Sequence, residues 1–183
     1  MYTMLIDKTF YVSDFISIIS VVLIIVGGIF TYYQWRNSMK LKRSEYINQL
    51  NEKMNLDKDM QEVVYLLDYS DKWYDQKFHG GGNLELKIDK TLSYFSYICY
   101  LRKEKLISNK EFGFFEYRIT RILLNSQIQD YFYNLYHFSD KFNVPFTFMA
   151  LFEYGKSKKL FDKDFYDPNS HLNKNKYHHY INF

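Results

Sequence analysis

The sequence predicts an all-α protein in which one N-terminal transmembrane helix continues into a compact helical bundle. Three observations predict it. Phe15–Trp35 holds no charged residue over 21 positions, and a bilayer core of ~30 Å needs roughly 20 residues of α-helix. Past that segment, apolar residues recur at steps of three and four nearly throughout. Gly and Pro number only 7 and 2 in 183 residues, and neither interrupts 29–79.

The first element is bounded by Asp14 and Arg36. Within a bilayer every backbone amide must find its partner inside the segment, so a single span must be helical. Tyr32, Tyr33 and Trp35 stand at its basic end, where amphipathic rings favour the headgroup level. A cleaved signal peptide would need a basic leader, a shorter apolar core and a small-x-small cleavage site. Here the leader MYTMLIDKTFYVSD has two Asp and one Lys, and bulky aromatics follow the core. A buried helix of a soluble domain is the weaker reading, because Val21–Val26 is apolar on every face. Arg36, Lys40, Lys42 and Arg43 crowd the C-terminal flank, against Lys8 on the other side. The positive-inside rule then places the following domain in the cytoplasm. The expected division is a short non-cytoplasmic N-terminus (1–14), the span (15–35), a cytoplasmic bundle (36–161) and a flexible polar tail (162–183).

With no breaker in the way, the span helix can run to about Met54, keeping Tyr46, Leu50 and Met54 on one face. Asn55 and Asp57 offer caps for a second helix carrying Met60, Val63, Val64 and Leu67. A polar loop, Tyr69 to Asn83, contains Gly80-Gly81-Gly82. A third helix, about Glu85 to Lys105, shows the stripe Ile88, Leu92, Phe95 and Cys99. Ser108 and Glu111 form a capping box for a fourth, with Phe112, Phe115, Ile119 and Ile122. Ser126 and Gln129 make a looser box for a fifth, with Ile128, Phe132, Leu135 and Phe138. Pro145 can open a short sixth helix that Gly155 closes. After Phe161 the composition turns polar, which reads as poor order.

Small and polar residues thread the apolar span. Ser13, Ser17, Ser20, Ile24, Gly27, Thr31, Gln34 and Ser38 follow one another at alternating steps of four and three. Only Ile24 breaks the run. That spacing is the 3.5-residue average of a left-handed helix seam. Lipid gives helices no hydrophobic reason to associate, so contacts depend on close approach at small residues and on interhelical hydrogen bonds. The seam residues Ser13, Ser17, Ser20, Gly27, Thr31 and Gln34 are therefore the candidate surface for self-association, or for a pore lining. The competing account is that the hydroxyls bond their own helix at i−4.

Motifs for catalysis fail on their own terms. Ala150–Ser157, ALFEYGKS, has the outline of a phosphate loop, but its interior is bulky and it reads as helix. Phe78–Gly82, FHGGG, resembles an oxyanion loop without the G-x-S-x-G elbow that such chemistry needs. His171, His178 and His179 lack cysteine or carboxylate company in the sequence, so neither metal nor cofactor is expected. Arg stands only at 36, 43, 102, 118 and 121, and none is followed by His four to six residues later. Asp57 and Asp59 suit capping and a solvated face. A net charge of +3 is too small to argue for direct nucleic-acid binding. Cys99 is the one cysteine, so no intrachain disulfide can form. In its apolar run it reads as a small core residue. Nothing here predicts an enzyme.

The layout, with its helix pair IDKTLSYFSYICYLRKEKLISNKEF (Ile88–Phe112), resembles small bacterial single-span membrane proteins with a cytoplasmic helical domain. It is also similar in plan to the membrane accessory proteins of type VI-B CRISPR systems, over roughly residues 10 to 140. That resemblance implies a HEPN-like helical domain, assembly into a membrane pore, and work beside an RNA-guided nuclease in antiviral defence. It implies a bacterial inner-membrane protein with membrane lipid, further copies of itself and that effector nuclease as partners. The missing Arg-His pair departs from the HEPN pattern and makes a membrane-tethered RNase the weakest reading. The alternative to a pore is a non-transporting anchor for a helical protein-interaction domain.

Overall fold

The computed structural model describes residues 12–69, 72–174 and 176–183. The expected non-cytoplasmic stretch 1–14 lies largely outside them, and so does the Ser13 side chain. The described residues form seven α-helices and one 3-10 turn, with no strand among them. By contacts the chain falls into two units, one ending at Asn48 and the other spanning Gln49–Phe183.

Helix α1, Val12–Leu56, is 45 residues long. It is long and apolar enough to cross a membrane, and none of its most apolar stretch is buried. Leu23 and Ile24 are 65% and 73% exposed. The core helix of a soluble protein would bury such residues, at roughly 1.5–3 kcal/mol each. The last turns of α1, from Gln49, belong to the second unit, where Leu50 and Met54 are buried.

In that unit Asp57 caps α2 (Lys58–Tyr69), its Oδ1 accepting from the Met60 amide at 3.2 Å. Met60, Val63 and Leu67 form the buried stripe of α2. Helix α3, Asn83–Lys103, packs against α2, α4 and α6. It accordingly buries Tyr94 and Leu101 as well as Ile88, Leu92, Phe95 and Cys99. The Tyr94 hydroxyl donates to the carbonyl of Leu50. Lys90 joins Asp57 and Asp59 at 2.7 and 3.0 Å, and its hydrogen bonds hold both carboxyls below their usual range. Helix α4, Asn109–Leu124, opens on the expected Ser108/Glu111 capping box.

Three local expectations are corrected. Helix α5, Ser126–Phe142, is capped by Asn125, whose Oδ1 accepts from the amides of Gln127 and Ile128 at 3.0 and 3.1 Å. The Gln129 side chain instead reaches back to the Leu123 carbonyl at 3.0 Å. Helix α6 is Met149–Ser157, so Pro145 lies in the connection before it. Gly155 does not close that helix. Lys159 takes the left-handed conformation (φ 56°), its amide bonds the Lys156 carbonyl, and the Leu160 amide bonds that of Gly155. This is a Schellman ending with lysine in the place glycine usually fills. Lys105 ends α3 in the same way, as Asn143 does α5.

The segment 162–183 was expected to be flexible, and the described part of it is packed. A 3-10 turn (Lys163–Tyr166) and a short helix α7 (Ser170–Lys174) lie in it. Phe165 and Tyr177 are 0% and 2% exposed. Tyr177 stacks on Tyr133 of α5 at 4.0 Å, and the Tyr133 hydroxyl donates to the Asp167 carbonyl at 2.6 Å. A few aromatic rings outweigh the polar composition around them, since each buries on the order of 150–250 Å².

Candidate functional site

The seam residues lie on α1 as the spacing requires. At about 100° per residue, Ser17, Ser20, Gly27, Thr31 and Gln34 share an arc of roughly 100°, and all are exposed. Two hydroxyls turn inward on their own helix. Ser20 Oγ donates to the Ile16 carbonyl at 2.9 Å, and Thr31 Oγ1 to the Gly27 carbonyl at 2.8 Å. Each of these two hydroxyls thus has its hydrogen bond without a neighbour, while Gln34 carries an exposed side-chain amide. A Cβ built at Gly27 or at Gly28 meets no atom within 4 Å, so the backbone there is bare. Arg36, Lys40, Lys42 and Arg43 follow within about three turns of Gln34, all exposed. The Ser13 side chain belongs to the undescribed set.

The second unit holds a polar network that sequence reading missed. The connection after α2, expected to be simply polar, buries Trp73, Tyr74 and Phe78. The Tyr74 amide donates to Gln127 Oε1 at 3.1 Å, fixing the connection to α5. Asn134 Nδ2 donates to the Tyr74 hydroxyl at 2.7 Å, and that hydroxyl is also hydrogen-bonded to His79 Nε2, 2.9 Å away. His79 Nδ1 then faces Glu85 at 3.5 Å. Glu85 also accepts from the amide of Gly81 at 2.7 Å, and Gly81 sits at φ 71°. The glycine run therefore makes a turn that seats Glu85.

A carboxylate–imidazole–hydroxyl chain of this kind has the outline of a nucleophile relay. Burial, however, pushes the Tyr74 hydroxyl far above its ordinary pKa, and its side chain is enclosed. Both features run opposite to what a nucleophile needs. The chain serves to hold the aromatic cluster of Tyr74, Phe78, His79 and Tyr131 together.

On the same face of α5 as Asn134, one turn earlier, Asp130 is 4% exposed. Burial raises its carboxyl to about 6, with His178 pulling the other way. His178 Nδ1 is 3.9 Å from Asp130 Oδ2, and the His178 and His179 rings lie 3.8 Å apart. The carboxylate company that the histidines lack in sequence is thus supplied by the fold. His171 stays apart, its ring against Tyr180 at 4.0 Å. Cys99 is buried, and its thiol is pushed up to about 12 by that burial. Lys156 and Ser157 lie in the last turn of α6 rather than in a phosphate-wrapping loop.

No family model, curated protein or solved structure matches the chain. The functional reading therefore rests on the α1 face and on the chemistry of the bundle.

Proposed function

We propose that the chain is a single-span membrane protein whose α1 helices self-associate along the Ser17, Ser20, Gly27, Thr31 and Gln34 face. The assembled form would act as a membrane-perturbing accessory effector, the role that the resemblance to type VI-B CRISPR membrane accessory proteins implies. The observation that carries self-association is the bare backbone at Gly27 on a seam of alternating three- and four-residue steps. Two such helices can approach closely there and gain van der Waals contact that lipid does not replace. In this reading the basic flank Arg36–Arg43 lies on the cytoplasmic side of a bacterial inner membrane. The bundle meets a protein partner such as an RNA-guided nuclease, and no catalytic step is assigned to this chain.

A second reading is a non-transporting anchor for an interaction domain. The inward-turned hydroxyls of Ser20 and Thr31 favour it, because a water-filled lumen would be lined by groups already satisfied. One set of variants separates the two. Detergent-purified protein should size as an oligomer. Ser20→Leu with Gly27→Leu should break it, while Ile19→Leu with Ile25→Leu should not. Leakage of dye from vesicles that follows oligomer content supports the effector, whereas oligomers that never leak support the anchor. A monomeric parent protein removes self-association. A reporter fused after Phe183 should be active inside the cell, and periplasmic activity would reverse the topology.

A further inference from the structure

We propose that Asp130, His178 and His179 form a binding site for a divalent transition-metal cation of the zinc class, which clamps the C-terminal segment onto α5. The three residues each offer one ligand atom, and these atoms lie within 4.8 Å of one another. Zinc bonds of about 2.0–2.2 Å in a tetrahedral site put ligand atoms roughly 3.3 Å apart. The 3.9 Å between His178 Nδ1 and Asp130 Oδ2 therefore has to close by roughly half an ångström. The widest pair has to close by more. His178 is exposed and has room to move.

Two further observations point to a ligand. His179 Nε2 is buried and has no hydrogen-bond partner among the described residues, an arrangement that is costly if nothing satisfies it. Asp130 is a buried carboxylate, and among the described residues its ion-pair contact is the loose one to His178. A cation held between these groups satisfies the acid and supplies His179 with a partner.

The backbone carrying the histidines is already set. Asn134 Oδ1 accepts from the Ile181 amide at 2.7 Å, and its Nδ2 donates to the His179 carbonyl at 3.2 Å. Tyr177, on the other side, is stacked on Tyr133. The site is therefore bracketed by contacts that do not involve the metal. Two imidazoles and one carboxylate suit zinc, cobalt or nickel, whereas calcium and magnesium require an oxygen shell that is not present among these three residues. Three protein ligands leave a fourth position for water. Two neutral imidazoles and one carboxylate leave the site with a net charge of +1.

The test uses the full chain in detergent, purified without a polyhistidine tag and stripped with a chelator. Zinc is titrated calorimetrically, and cobalt is added as an optical probe of coordination. One ion per chain should bind, with cobalt showing the visible bands of a low-coordinate site. Zinc should also raise the melting temperature. His178→Ala changes an exposed side chain and should lower zinc affinity at least tenfold. It should also abolish the thermal shift. Asp130→Asn should do the same, and His178→Ala decides the matter if that variant fails to fold. His171→Gln lies outside the group and should bind as the parent does. Equal zinc binding by the parent and His178→Ala would overturn the site. So would an equal loss on His171→Gln, which would mean diffuse binding by tail histidines.

Discussion

Replacing Gly155 by alanine should destabilise the bundle, although glycine is the poorer helix former. A Cβ at this position would stand 2.7 and 3.0 Å from Cε2 and Cζ of the Phe161 ring and 3.3 Å from Leu123 Cδ1. The ring cannot step aside freely, because it packs against Phe132, Phe152 and Phe165 at centroid distances of 6.3, 5.3 and 4.6 Å. Overpacking of this kind costs about 1–3 kcal/mol, against a helix-propensity gain of about 1 kcal/mol. Gly113 on α4 supplies the control, since a Cβ there meets no atom within 4 Å. Gly113→Ala should keep the propensity gain and nothing else. The difference between the two variants then isolates the clash, about 1–3 kcal/mol. In a domain of this size that is roughly 3–12 °C in melting temperature. Far-UV circular dichroism melts of the full chain in detergent measure it. If Gly155→Ala melts at or above Gly113→Ala, the Phe161 ring does not rest on α6, and the packed arrangement of the C-terminal segment loses its main support.

The other predictions test separate parts of the bundle. Phe165→Ala removes a fully buried ring and should cost about 3–5 kcal/mol. Leu172→Ala, at a side chain 73% exposed, should stay within about 0.5 kcal/mol, and equal effects would mean that the segment after Phe161 is not core. Cys99 has its thiol pushed up to about 12 by burial, so at pH 8 about one molecule in ten thousand carries the thiolate. Iodoacetamide should therefore label it only on unfolding, and native labelling at the denatured rate would contradict its place in α3. His137 is held neutral by burial, which lowers its pKa, while its bond to the Phe165 carbonyl opposes the shift. Between that lowered pKa and the unfolded value of about 6.5, only the unfolded chain holds the proton. Stability should fall as pH drops below about 6.5, and His137→Gln should flatten that part of the profile. An unchanged slope would remove His137 from the account.

Helix identity was legible wherever one physical requirement acts on every residue in turn. The bilayer length condition marks α1 from Phe15 to Trp35, and the Ser108/Glu111 box marks the start of α4. Helix ends were legible only where the usual residue does the usual work. Lys105 and Lys159 adopt left-handed backbone that favours glycine, so neither ending carried a sequence signal. Gly155 drew the assignment instead. Its reason for being glycine is the Phe161 ring, which arrives from a segment that composition alone marks as polar. The packing of this segment against α5 uses part of the aromatic excess. The chain holds 19 Tyr and 17 Phe, and Phe132, Tyr133, Phe148 and Phe165 are among the largest fully buried side chains.

The bundle's polar site was hidden for a related reason, and α5 shows how. Asp130, Asn134 and His137 recur at steps of four and three, a spacing that marks one face of a helix. Opposite Ile128 and Phe132, such a stripe reads as the solvated side. In the fold each of its members meets the C-terminal segment. Asp130 faces His178, Asn134 holds His179 and Ile181, and His137 bonds the Phe165 carbonyl. The stripe is a second buried face whose cover lies some 30 to 50 positions later. The one local hint is Tyr133 and Tyr136 beside it. Tyr133 is fully buried, and both rings meet Phe165. Polar residues at helical spacing with large aromatics between them call for a partner. That partner need only bring backbone polar groups and a few rings, and the segment 162–183 brings both.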